Sequence, residues 1–115
     1  MAGLIGETVK LTNLEAITRR EVSRYQAQSF QSTLYALHDD EQKLYAVVSV
    51  PHLPRPWPSR IVVMAQVVDD QVVIIEDSTD KPLYEALMVN GGIPRENITL
   101  AYAGETVPPT LHPVP

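Results

Sequence analysis

Any catalysis or metal chemistry in this chain has to come from a short roster of side chains. The three histidines, His38, His52 and His112, are scattered with no His-x-x-x-His or comparable ligand spacing, and no cysteine is present to complete a zinc set. The lack of cysteine also excludes disulfides, iron–sulfur clusters and cysteine nucleophiles. One group of three carboxylates is Glu76-Asp77-Ser78-Thr79-Asp80. Its three acids suit a hard cation in type, but they lack the ordered spacing and the glycine of a calcium loop. A structural use is sufficient, because the segment immediately precedes a predicted helix. Ser78, Thr79 or Asp80 can cap the first N–H groups, the acids favour the positive end of the helix dipole, and Pro82 fits the first turn. No serine sits in Gly-x-Ser-x-Gly, and Gly91-Gly92 follows a helix where a phosphate loop would precede one. The residues carry no enzyme signature, and no catalytic, metal or cofactor site is expected.

The elements that surround these residues belong to an ordinary domain. At 115 residues, 44% of them hydrophobic and 20% charged, the chain is long enough for one core and far from the composition of disorder. Its net charge of -5 opposes general attraction to phosphate backbones, so any action on DNA is expected to run through a partner. No basic segment followed by an apolar one opens the chain, and no apolar run approaches the ~20 residues that span a bilayer, so neither secretion nor membrane insertion is expected. The cytosol is the simplest compartment.

Residues 1–10 read as a flexible lead-in, 11–103 as one α+β domain, and 104–115 as an extended proline-rich tail. Thr12 and Glu15 have the spacing of a capping box, with Asn13 an alternative cap. Leu14, Ile17, Val22 and Tyr25 then share one face of a helix of about four turns. Arg19, Arg20, Ser23 and Arg24 populate the other; the interleaved Glu15 and Glu21 favour a solvated face over a phosphate-binding one. Residues 26–32 read as a connector around one anchoring aromatic, Phe30. Runs 33–38 and 43–50 flank a polar loop and predict a hairpin whose second strand is central. The following loop, 51–59, holds four prolines in nine residues, which rules out a regular element, and it contains the only tryptophan, Trp57. Trp57 between Arg55 and Arg60 reads either as an interface anchor or as a lid folded over the sheet end.

Runs 61–68 and 72–75 predict a second hairpin turning at Asp69-Asp70, two residues that tolerate the left-handed region. Ile61-Val62-Val63 does not alternate, which suggests cover on both faces, by helices or by another subunit. A helix through Leu83, Leu87 and Val89 stops at Asn90-Gly91-Gly92, and Ile98 to Tyr102 is the last strand. The expected sheet is mostly antiparallel with about five strands, an N-terminal amphipathic helix, and a second helix before the last strand.

An Asp-x-Thr-Asp segment after two strands, a short helix, then Gly92-Ile93-Pro94-Arg95-Glu96-Asn97-Ile98-Thr99-Leu100-Ala101 resembles the XisI-type element excision controlling factors. In that family the corresponding tail reads Asp, Gly, Thr, Glu, a helix, and Gly-Ile-Pro-Lys-Glu-Asp-Ile-Val-Leu. The resemblance covers about residues 11–103. It departs at Pro51-His-Leu-Pro-Arg-Pro-Trp-Pro, where the family has Gly-Trp-Asp, and at Tyr102-Ala-Gly-Glu, where the family has Phe-His-Pro-Pro. The resemblance implies a cyanobacterial-type, non-enzymatic regulatory protein acting beside XisH, a nuclease-like partner, in programmed DNA excision, with the recombination chemistry left to a recombinase. Candidate partner-contact residues are Arg55, Trp57, Arg60, Asp77 and Asp80. A homo-oligomer is expected from the apolar run 61–68 and the tail. The alternatives are an antitoxin-like inhibitor of a nuclease, a small-ligand sensor with a polar-lined cavity, and a direct DNA binder.

Overall fold

The computed structural model describes residues 13–54 and 57–107. The lead-in, Thr12 of the expected capping box, Arg55 and most of the proline-rich tail lie outside the described residues. The elements run in order as α1 (Leu14–Ser23), β1 (Ala27–Gln28), β2 (Ser32–Asp39), β3 (Leu44–Pro51), β4 (Arg60–Val68), β5 (Gln71–Asp77), α2 (Leu83–Val89) and β6 (Ile98–Leu100). The strands form one sheet in sequence order, antiparallel throughout except for the parallel pair β5–β6. α2 makes the crossover that a parallel pair requires.

Six strands replace the expected five, because Ala27 and Gln28 pair with Leu34 and Thr33 inside what reads as a connector. A two-residue strand has too little pattern to be legible. α1 is shorter than predicted, ten residues or about three turns, and Asn13 sits at its N-cap without a side-chain hydrogen bond. Leu14 and Val22 are buried as expected, yet Thr18 and Glu21 are buried with them. Glu21 is therefore no part of a solvated face.

The core lies between the helices and one face of the sheet, and Tyr45, Val47, Val63, Ala65, Val72, Ile74 and Ile98 point into it beneath Leu14, Val22, Leu83 and Leu87. The second hairpin turns as predicted at Asp69-Asp70, with Asp69 in the left-handed region at φ 56°. The failure of Ile61-Val62-Val63 to alternate has a local cause: a register shift opposite Val47 and Val48 leaves Val62 as an extra residue in β4. A bulge places two residues against one, so side chains on either side of it lose their period of two.

The two helices meet closely at Gly91. A Cβ there would lie 2.5 Å from Ile17 Cγ2, so only glycine admits this approach. Gly92 takes φ 68° and ends α2, with its N–H on Met88 O and that of Ile93 on Leu87 O. Ile93 then enters the core and Pro94 leads into a 3-10 turn, Arg95–Asn97. Arg95 stitches this corner together, donating to Ile98 O and Glu105 Oε2 at 2.6 Å each, while Asn97 Nδ2 donates to Asp70 O. The Gly-Ile-Pro segment is thus a structural corner that fixes β6 beside β5.

Candidate partner-binding surface

The acid cluster closes on itself. Asp77 Oδ2 accepts the Leu83 N–H at 2.7 Å, and Oδ1 accepts both the N–H and the hydroxyl of Thr79, at 2.9 and 2.6 Å. Capping is therefore the use of this segment, but the capping side chain is Asp77, further back than Ser78, Thr79 or Asp80. Thr79 passes the chain on to Lys81 O, which also accepts the Tyr25 hydroxyl from the end of α1. Burial raises the Tyr25 hydroxyl above its ordinary pKa, which keeps it a donor.

A second acid, the buried Glu21, is closed in the same way. Glu21 Oε2 accepts Arg20 Nε at 2.9 Å and lies 3.4 Å from Arg24 Nε, while Oε1 accepts Asn90 Nδ2 at 3.1 Å. Glu21, Arg24 and Asn90 line an open cleft of about 770 Å3 between the end of α1 and α2, together with Asp80, Lys81 and Glu85. Among the described residues, no three His, Cys, Asp or Glu side chains are placed to hold a metal ion.

The polar groups are thus largely engaged within the chain, whereas the end of the sheet carries unpartnered apolar ones. Phe30 is 96% exposed and Leu53 82%. Phe30 is not the anchor of its segment but its most protruding side chain. Both sit on fixed backbone. In the turn before β2, Ser29 N–H and Oγ both donate to Ser32 O, and Ser32 N–H returns to Ser29 Oγ. His52 ties that turn to the proline-rich loop: its N–H donates to Gln31 O, Nδ1 lies 3.2 Å from Phe30 O, and Nε2 lies 3.0 Å from Thr33 Oγ1. A carbonyl can only accept, so Nδ1 carries the hydrogen and Nε2 takes the threonine proton in the neutral ring.

Trp57, 40% exposed, is adjacent, over a cleft of about 410 Å3 that Ser32, Ser49, Pro58 and Arg60 complete. Its place over the sheet end is that of the lid reading, and part of the indole faces outward. Arg60 is exposed and donates to Ser78 Oγ at 3.1 Å. Trp57 and Arg60 are therefore brought together. Asp80 belongs to the other cleft and Asp77 to the interior of its own turn. Phe30 and Leu53 are additions that the sequence signalled weakly, as apolar residues placed in turns among serines, glutamines and prolines.

A family model described as "XisI protein" matches residues 9–110. The chain belongs to this XisI family. Two solved structures share its fold. One is an XisI-like protein from Anabaena variabilis ATCC 29413, at 22% identity and a TM-score of 0.67, the match covering 78% of this chain and 84% of that one. The other is the fdxN element excision controlling factor XisI from the same organism, at 20% identity and a TM-score of 0.64, covering 81% and 86%. A comparison with curated proteins finds no match. In this chain the Gly92-Ile93-Pro94 corner fixes β6 beside β5, and the exposed end is formed by the turn before β2 and the loop after β3. No helix among the described residues is long and apolar enough to cross a membrane.

Proposed function

We propose that this XisI-family chain is a non-enzymatic regulatory subunit that works by protein contact, binding an XisH-like, nuclease-type partner through the end that carries Phe30, Leu53 and Trp57. One observation carries the choice of surface: two large apolar side chains, almost fully exposed, stand on backbone fixed by His52 and by the Ser29–Ser32 turn. Exposed apolar groups on a pre-ordered scaffold are what interface hot spots require, because little conformational freedom is lost on binding. Exposed Arg60 supplies a cation at the rim, and net charge keeps contact with DNA indirect. The cleft between the helices gathers ionisable groups, but Glu21 and Tyr25 already have partners, so ligand sensing is the less favoured reading.

The test is co-expression with an XisH-type protein followed by size-exclusion chromatography. The two chains are expected to elute together, and a Phe30→Ala, Leu53→Ala, Trp57→Ala triple variant is expected to elute apart from the partner. Separate elution of the unaltered chains, or undiminished co-elution of the triple variant, overturns the proposal.

A further inference from the structure

The cleft under Trp57 joins an apolar wall to polar groups that the chain itself leaves unused. Ser49 stands directly across from Arg60 in the β3–β4 pairing and from Leu34 in the β2–β3 pairing; Ser32, two residues before Leu34, shares their face of the sheet. Trp57 and Pro58 complete the cleft. Five arginines fall among the described residues, and four of them, Arg19, Arg20, Arg24 and Arg95, pair with a carboxylate at 3.5, 2.9, 3.4 and 2.6 Å. Among the described residues Arg60 pairs with none. Its Nη1 donates to Ser78 Oγ, which donates on to Val62 O, so the guanidinium is held in place while its other donors have no partner there. Ser49 is only 7% exposed, yet its hydroxyl makes no hydrogen bond among the described residues, where a group so enclosed ordinarily has one.

We propose that this cleft receives a carboxylate on a short apolar stem, supplied by an acidic side chain or the chain end of the bound partner. Charge identifies the group. A chain of net -5 that neutralises its other described arginines and leaves Arg60 at a cleft presents one cation, which matches one negative charge. The planar guanidinium fork fits the two oxygens of a carboxylate, and the Ser49 hydroxyl adds a donor from the neighbouring strand. A phosphate brings more charge and is typically cradled by several backbone N–H groups at a helix start or glycine loop. The lining residues, Ser32, Ser49, Trp57, Pro58 and Arg60, form neither. Trp57 and Pro58 would cover the stem and keep water from the ion pair, which strengthens it. A volume of about 410 Å3 lies at the small end of ligand pockets and suits one inserted residue. Phe30 and Leu53 indicate the supplier: at 96 and 82% exposed they would remain in water around a free acid but not beneath a protein. Assigning the supplier rests on the partner-contact reading above; the carboxylate preference of the cleft does not.

Trp57 is the only tryptophan, so its indole N–H gives a unique signal in a proton–nitrogen correlation spectrum of the full chain. Isovalerate is expected to shift that signal and the Arg60 Nε–H saturably in the millimolar range. Isovaleramide, of the same shape without the charge, is expected to bind at least about tenfold more weakly. Arg60→Gln is expected to weaken isovalerate by a similar factor and Ser49→Ala severalfold, both with the melting temperature of the parent retained. Arg60→Gln is also expected to reduce co-elution with the XisH-type protein. Absence of a shift with isovalerate overturns the carboxylate assignment, as does equally tight binding of the amide or of inorganic phosphate. Undiminished co-elution of Arg60→Gln overturns the partner as supplier and leaves the contact through Phe30 and Leu53 standing. If the unaltered chains elute apart, the partner is again overturned as supplier, and the isovalerate titration decides the cleft by itself.

Discussion

Asp77 Oδ2 and the Leu83 N–H meet at 2.7 Å, so the last residue of β5 caps α2 across six positions. The same carboxylate holds both donors of Thr79. Asp77→Ala leaves three donors without their acceptor and is expected to cost about 2 kcal/mol of stability, with Asp77→Asn costing less because one oxygen remains. Urea denaturation monitored by circular dichroism checks both. If either variant loses partner binding at unchanged stability, Asp77 is a contact residue and its capping role is secondary.

At Gly91 the constraint is steric. Gly91→Ala is expected to destabilise the fold by about 1 to 3 kcal/mol, because its Cβ would overlap Ile17 Cγ2 and force α1 and α2 apart. Ile17→Ala added to it is expected to recover part of the loss. The double-mutant cycle reads that coupling as a stability of the pair above the sum of the single changes.

The exposed end separates stability from binding. Phe30→Ala and Leu53→Ala remove side chains that have left water only slightly, so the melting temperature is expected to stay within the range of ordinary surface changes, about 0.5 kcal/mol. Partner affinity is expected to fall at least about tenfold for each, as for a hot-spot truncation. Isothermal titration with the XisH-type protein checks the pair.

Glu105 gives the corner its pH dependence. The Leu100 N–H, and after it the Arg95 guanidinium, hold the Glu105 carboxyl below its ordinary value of 4.5. A lowered acid supports the folded form fully above that ordinary value and stops doing so as pH falls through its own lower one. The protection of the Leu100 amide, its exchange compared with the intrinsic rate at each pH, is therefore expected to fall at acid pH, and Glu105→Ala is expected to lower that protection and make it nearly independent of pH. Equal protection in parent and variant across the acid range would refute the assignment.

Much of the architecture was legible because it rests on neighbours in the chain. The turn at Asp69-Asp70, the left-handed stop at Gly92, the central β3 and the helix after the acid cluster all follow from backbone preferences and periodicity over a few residues. The Gly-Ile-Pro segment was legible as a family mark, and the match over residues 9–110 agrees with it.

The surface was less legible. Glu21 reads as a solvated acid until Asn90, 69 residues away, arrives beside it together with the neighbouring arginines. Ile61-Val62-Val63 reads as two-sided burial until the register against β3 reveals a bulge. Phe30 reads as an anchor until His52 fixes its turn facing outward. By itself the sequence determined most of the elements, their order and the family, because local torsion preferences and hydrophobic period act along the chain. Only the tertiary structure decided which acids are enclosed and which apolar side chains are left outside, because burial depends on contacts between residues far apart in sequence.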